Sequence, residues 1–165
     1  MASTASPTHL PSIEPHLRQE AGRELQATLV DLVDLSLVGK QLHWSVAGPA
    51  FRTLHLQLDE LVEEWRELAD TVAERAVAIG SFPDGLAAAV AARSAARPLA
   101  IGAIQDHEVV RELAHRISET SELARVRMDR LGGLDAASQD VLVGVVRALE
   151  QQQWMVRAQL PHGGA

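Results

Sequence analysis

Apolar residues recur along this chain at intervals of three and four, the period of a helix buried on one side. Leu54, Leu58, Leu61, Trp65, Leu68 and Val72 keep a four-three-four-three-four rhythm, which predicts one continuous buried stripe. Leu25, Leu29, Leu32 and Ser36 mark an earlier helix from about Leu17 to Val46, broken by Ala47-Gly48-Pro49-Ala50. The second helix stops at Gly80, with Pro83 three residues on. A third, from about Ile104 to Leu131, turns Val110, Leu113, Ile117 and Ala124 inward and ends at Gly132-Gly133. Asp135 is placed to cap a fourth, which carries Leu142, Val145, Leu149 and Val156. No strand-like alternation rises above this pattern.

Four long amphipathic helices predict an all-α, four-helix bundle. The short links within the first pair and within the second pair make each an antiparallel hairpin. The link between pairs, about 23 residues over 81–103, is Ala-rich, has Pro98 near its end and is expected to contain a short helix. It is long enough to return along the bundle, and one such crossover is the ferritin-like topology. Residues 1–16 hold prolines at 7, 11 and 15 and read as a flexible arm, 17–160 as the bundle and 161–165 as a short tail.

Composition narrows the chemistry. At 165 residues and 47% hydrophobic, the chain suits one domain with a real core. It has no cysteine, which removes disulfides, thiolate metal sites and thiol nucleophiles. It has no tyrosine either, and five aromatics: Trp44, Phe51, Trp65, Phe82 and Trp154. No run approaches the roughly 20 apolar residues of a membrane span, and the first residues lack a basic start and apolar core. The expectation is therefore a soluble cytoplasmic protein. A net charge of −7 favours a cation as guest over a polyanion.

The residues suited to bind such a guest lie around the first turn. His43 and His55 stand six residues before and six after Pro49, so an antiparallel pair brings them to one height on facing helices. His55 and Asp59 share a helix face at i, i+4, and Asp70 and Glu74 repeat that spacing. From Asp59 to Asp70 the helix turns roughly 20° beyond three full turns and rises about 16.5 Å. The four therefore line one stripe as two clusters too far apart to share an ion. If two copies of this helix pack antiparallel across a two-fold axis near Glu64–Trp65, one copy's Asp70 and Glu74 face the other's His55 and Asp59, which His43 joins. Two imidazoles and three carboxylates suit iron or manganese rather than structural zinc. The competing reading is a solvated charged face beside an apolar stripe.

At these residues the chain resembles the Dps family, the mini-ferritins known as DNA-binding proteins from starved cells. The resemblance rests on Lys40-Gln41-Leu42-His43-Trp44, Gly48, Phe51, Leu54-His55, Leu58-Asp59-Glu60, Asp70 and Ala73-Glu74-Arg75, with the spacing H-x11-H-x3-D-x10-D-x3-E. Asp106-His107 and Gln153-Trp154-Met155 also match, and the likeness spans about residues 20–160. It implies a hollow homo-dodecamer of tetrahedral symmetry that oxidises Fe²⁺ with hydrogen peroxide, or more slowly O₂, at two-fold interfaces. The Fe³⁺ mineral would be stored inside, protecting the cell against oxidative stress. Carried over, His43, His55 and Asp59 come from one subunit and Asp70 and Glu74 from its partner. Trp44 is then a candidate to supply or trap an electron, unless it only packs under the hairpin. Lys40 is placed to hydrogen-bond ligand water, or is a flank charge. The family's acidic three-fold pores point to Asp140, with Asp135 and Asp129 behind it, unless Asp135 is nothing more than a cap.

Other motifs fall short. Glu112 and His115 form a single E-x-x-H, and without a second copy they read as a solvated pair. His9 and His16 read as a histidine pair in the arm, able at most to bind a transition metal. The alternative function, a nucleoid-coating DNA-binding shell with incidental iron binding, meets a charge problem. The only lysine is Lys40, and neither terminal segment is basic. Twelve copies at −7 carry roughly −84, so DNA binding is expected to be weak or absent at neutral pH. Protonation of His9, His16 and His162 below about pH 6 would relax that repulsion.

Overall fold

The structure, a computed structural model, describes residues 10–94 and 97–160. His9, His162, the first nine residues of the expected arm and the tail 161–165 lie outside the described residues. The elements run α1 (Pro15–Ser45), β1 (Val46–Ala47), α2 (Phe51–Ala78), α3 (Ala87–Arg93), β2 (Ile104–Gln105), α4 (Asp106–Leu131) and α5 (Ala136–Arg157). The four long helices are those the apolar rhythm predicts, and α3 is the short helix of the crossover. Helix α1 starts two residues earlier than expected, with Pro15 in its first turn, where a missing N–H costs nothing. His16 therefore belongs to the helix, not to an arm, and Ile13 packs against the core just before it.

Helix α1 packs mainly on α2 and α4 on α5, while α1–α4 and α2–α5 contacts close the bundle. Its centre is an apolar cluster that includes Leu25, Leu32, Leu58, Trp65, Leu113, Ile117, Leu142 and Leu149. Each helix contributes the stripe read from its sequence, with one shift: Leu68 is half-buried and Ala69 takes the inward position beside it. Gly39 lets α1 and α2 approach, since a Cβ there would stand 2.6 Å from the Trp65 ring and 2.7 Å from Val62. Trp65 is fully buried and donates its indole N–H to Gln152 of α5 at 2.8 Å. Gln152 in turn donates to the Glu64 carboxylate.

One feature has no counterpart in the sequence pattern. Val46 pairs with Ile104 and Ala47 with Gln105 as a two-residue parallel bridge. Two residues are too few to show a period of two, so alternation could not reveal it. The bridge puts the end of α1 beside the start of α4, so the crossover has run back the length of the bundle. That is the ferritin-like connection.

Helix α5 starts at a true cap. The Asp135 carboxylate accepts the Ser138 backbone N–H at 2.9 Å and pairs with Arg75 of α2 at 2.6 Å. Partial burial opposes its charged form, but hydrogen bonds from Ser138 and Arg75 prevail and hold the carboxyl below the ordinary value. Asp135→Ala is expected to lower stability by about 1–2 kcal/mol, read by denaturation at pH 7. Because the folded-state value is depressed, this contribution is present above the unfolded carboxylate value near 4 and fades as pH falls through the folded one. The gap between parent and variant should therefore close on acidification.

Candidate metal centre

The first hairpin gathers the site. His43 lies in the last turn of α1 and His55 in the second turn of α2, and the link between them is tightly held. Gly48 takes φ +125°, a backbone conformation that side chains disfavour, and a Cβ there would meet the Asp106 carboxylate at 2.7 Å. Asp106, at the start of α4, accepts the Ala50 N–H at 2.9 Å and the His107 N–H at 2.8 Å. The Ala50 bond foremost, with the His107 contacts adding, holds its carboxyl below the ordinary value against partial desolvation. The turn is thus anchored from a third helix.

Across this hairpin the two imidazoles stack, ring centroids 3.6 Å apart and planes at 23°. His43 Nδ1 lies 2.9 Å from the His55 carbonyl oxygen, and His55 Nδ1 lies 3.0 Å from the His43 carbonyl oxygen. A carbonyl only accepts, so each Nδ1 carries a hydrogen and Nε2 is the ring atom left to face a metal. Metal-binding histidines are commonly oriented by such a bond, which fixes both tautomer and ring direction. Phe51 packs against His55, with ring centroids 5.0 Å apart.

Asp59 completes a group of three whose ligand atoms, one from each residue, all lie within 4.8 Å of one another. Its Oδ1 is 3.3 Å from His43 Nδ1 and 2.5 Å from Lys40 Nζ. The Lys40 hydrogen bond is the main cause holding the Asp59 carboxyl below its ordinary value, with the positive fields of His43, Lys40 and His55 adding and desolvation opposing. Burial is lopsided: His43 is 6% exposed, whereas Asp59 lies at the surface. Two nitrogens and a carboxylate on an open face are donors that could hold an iron- or manganese-like ion.

The remaining predicted residues are placed as follows. Asp70 and Glu74 are exposed on the same helix and stand outside the group of three. Trp44 is 69% exposed, so it does not pack under its own hairpin; its ring centroid is 6.0 Å from Lys40 Nζ. Asp140 and Asp129 are exposed, while Asp135 is engaged by Arg75 and the cap. Glu112 and His115 face different partners, Arg116 at 2.6 Å and Glu119 at 3.1 Å respectively. Sequence reasoning missed the work of Asp106 and Gln152. Asp106 follows the crossover and contacts a turn 56 residues earlier, a proximity that no local spacing encodes.

Comparison with known proteins adds the following. A ferritin-like domain model matches residues 23–163. The chain is 39% identical to the fine tangled pili major subunit of Haemophilus ducreyi, over 90% of this chain and 77% of that protein. It is 32% identical to the DNA protection during starvation protein of Mycolicibacterium smegmatis, over 94% of this chain and 85% of the relative. The tetragonal form of Mycobacterium smegmatis Dps superposes with a TM-score of 0.90 at 30% identity, covering 98% of both chains.

The anchor on the turn is testable. Asp106→Ala leaves the Ala50 amide without its acceptor and should cost about 1 kcal/mol or more in thermal or chemical denaturation. Asp106→Asn, whose single acceptor oxygen can serve only one of the Ala50 and His107 amides, should fall between the parent and Asp106→Ala. Gly48→Ala should be worse than either, because it combines backbone strain with a contact against Asp106.

Proposed function

This chain belongs to the Dps family of ferritin-like proteins, and from that premise we propose that it is a ferroxidase that stores iron inside a homo-dodecameric shell. The observation that carries this reading is the oriented but incomplete group of His43, His55 and Asp59, with Asp70 and Glu74 left exposed on the same helix. A partner's copy of those two acids, delivered across a two-fold axis, would bring the shell to two imidazoles and three carboxylates. Trp65 lies in its own core, so an axis at this height passes the exposed Glu64 side of α2. The exposure of Trp44, Leu56 and Trp154 supports an assembly that covers them.

In this reaction Fe²⁺ is the substrate. Two ferrous ions give one electron each to one hydrogen peroxide, and water supplies the remaining oxygens of 2 FeOOH with release of four protons. O₂ is the slower oxidant. Carboxylate oxygens stabilise Fe³⁺ more than Fe²⁺, which lowers the potential and favours electron loss. Delivering both electrons to one peroxide avoids the single-electron step that frees hydroxyl radical. Lys40 neutralises Asp59 before the metal arrives, and its ammonium is placed to hydrogen-bond ligand water afterwards. Trp44, beside Lys40 and a ligand, is the side chain to supply or trap a stray electron. Asp140 and Asp129 are the pore residues for iron uptake, and Asp135 contributes there only what its cap and ion pair leave free.

No helix among the described residues is long and apolar enough to cross a membrane, and we assign the protein to the cytoplasm. The relatives' names mention DNA, but a shell of about −84 charge repels a polyanion. We therefore assign DNA binding no more than a weak role at neutral pH.

His55→Ala and Asp70→Ala should each abolish fast Fe²⁺ oxidation by the assembled protein, followed as the rise of ferric absorbance after peroxide addition. Assembling the two variants together should restore part of the rate, because some interfaces then pair an intact His43–His55–Asp59 group with an intact Asp70–Glu74 pair. Full rates in either single variant would remove the assignment. In a gel-shift at pH 7.5, duplex DNA should migrate unretarded at moderate salt, and strong retardation would contradict the charge argument.

A further inference from the structure

A second concave site lies away from the iron centre, where the start of α1, the end of α2 and the crossover meet. It is a cavity of about 700 Å³ whose lining includes Arg18, Arg23, Arg93 and Arg127. That volume is in the range of small-molecule sites. Four of the chain's 15 basic residues thus converge on one recess of an acidic protein.

Their charges are poorly matched. Arg127 is neutralised by Asp31 at 2.6 Å. Arg23 meets only Glu20, at 3.8 Å between exposed side chains, and Arg93 has no ion-pair partner among the described residues. Arg18 spends one nitrogen on the uncharged carbonyl of Ile13, at 3.0 Å, and leaves its buried Nε with no acceptor. The other lining acid, Asp84, is turned to its own loop, where its carboxylate accepts the Leu86 N–H at 3.2 Å. An unpaired buried donor among unmatched guanidinium groups is a preformed demand for an anion.

The backbone adds to that demand. Pro15, the first residue of α1, lines the same cavity, and the 31-residue helix starts with no acid in its first turn and no side-chain cap. Its N-terminal amides therefore lie beside the arginines with no side-chain hydrogen bond, the exposed N-cap residue Glu14 making none. The wall opposite is held in shape: Gln26 Nε2 donates to the Asp84 carbonyl at 2.9 Å, and the Asp84 N–H donates to Gln26 Oε1 at 2.7 Å.

We propose that this recess binds a phosphate-class oxyanion, free or as the terminal monophosphate of a small metabolite. Guanidinium forks match the tetrahedral oxygens of phosphate, and the surrounding volume leaves room for an attached organic group. The site is independent of the iron chemistry and needs none of its residues.

The test uses the metal-free assembled protein, titrated calorimetrically with inorganic phosphate and with adenosine monophosphate at constant ionic strength, with chloride as the control. Saturable binding of phosphate is expected. Tighter binding of the nucleotide would identify an attached group in the cavity, and equal binding would identify the phosphate alone as the ligand. Arg23→Gln combined with Arg93→Gln, two exposed positions that the fold does not need, should weaken binding by about tenfold or more. Absence of saturation, affinity unchanged in the double variant, or saturation by duplex DNA alone would each overturn the proposal.

Discussion

Everything at the candidate metal centre depends on the register of one helical hairpin. The two imidazoles can hold each other's main-chain carbonyls only if α1 and α2 stand at one height and a short distance apart. Gly39 sets the distance, by allowing α1 to lie against the Trp65 ring, and the turn at Gly48 sets the height. Asp106 then anchors that turn from the far end of the crossover. A slip of one residue would rotate one helix by about 100° and take its histidine off the shared face. The long crossover is therefore part of the centre's architecture, although its described residues stand outside the group of three.

The centre is rigid on one side and open on the other, and this asymmetry has a chemical use. Both rings are oriented by backbone acceptors, so no side-chain rearrangement is needed to present their Nε2 atoms. Asp59, at the surface, is held by Lys40, an ammonium that can let go when a doubly charged ion competes for the carboxylate. In the proposed reading, a shell completed by a neighbouring copy would tie oxidation to assembly, so that iron would be handled where a mineral can be enclosed.

Charge is distributed with a similar division of labour. Acids outnumber bases in the chain, 22 to 15, while several arginines form ion pairs between helices and four line the recess at the start of α1. Arg75 with Asp135 and Arg127 with Asp31 join α2 to α5 and α4 to α1 in half-buried positions. Burial pushes the Asp31 carboxyl up despite Arg127, and Asp34 beside it adds to the rise. Arg18, Arg23 and Arg93 of the recess have no such close acid, and that imbalance separates a candidate ligand site from structural pairing.

The four long helices, their inward stripes, the crossover and the Asp135 cap were all legible in the sequence. Each follows from spacing within a turn or two, and local spacing is what helical periodicity encodes. The facing of His43 and His55 was legible for a related reason: an antiparallel hairpin converts equal distance from a turn into equal height. What only the tertiary structure decided involves residues far apart in the chain: the Val46–Ile104 bridge, the Asp106 anchor, the Trp65–Gln152 bond and the arginine recess. Trp44 belongs to the same class, since its exposure depends on what packs beside it and not on its place in the helix. Local sequence sets which face of each helix is apolar, but the rotation and height at which those faces lock are settled by side chains from other helices, and these contacts leave no periodic trace.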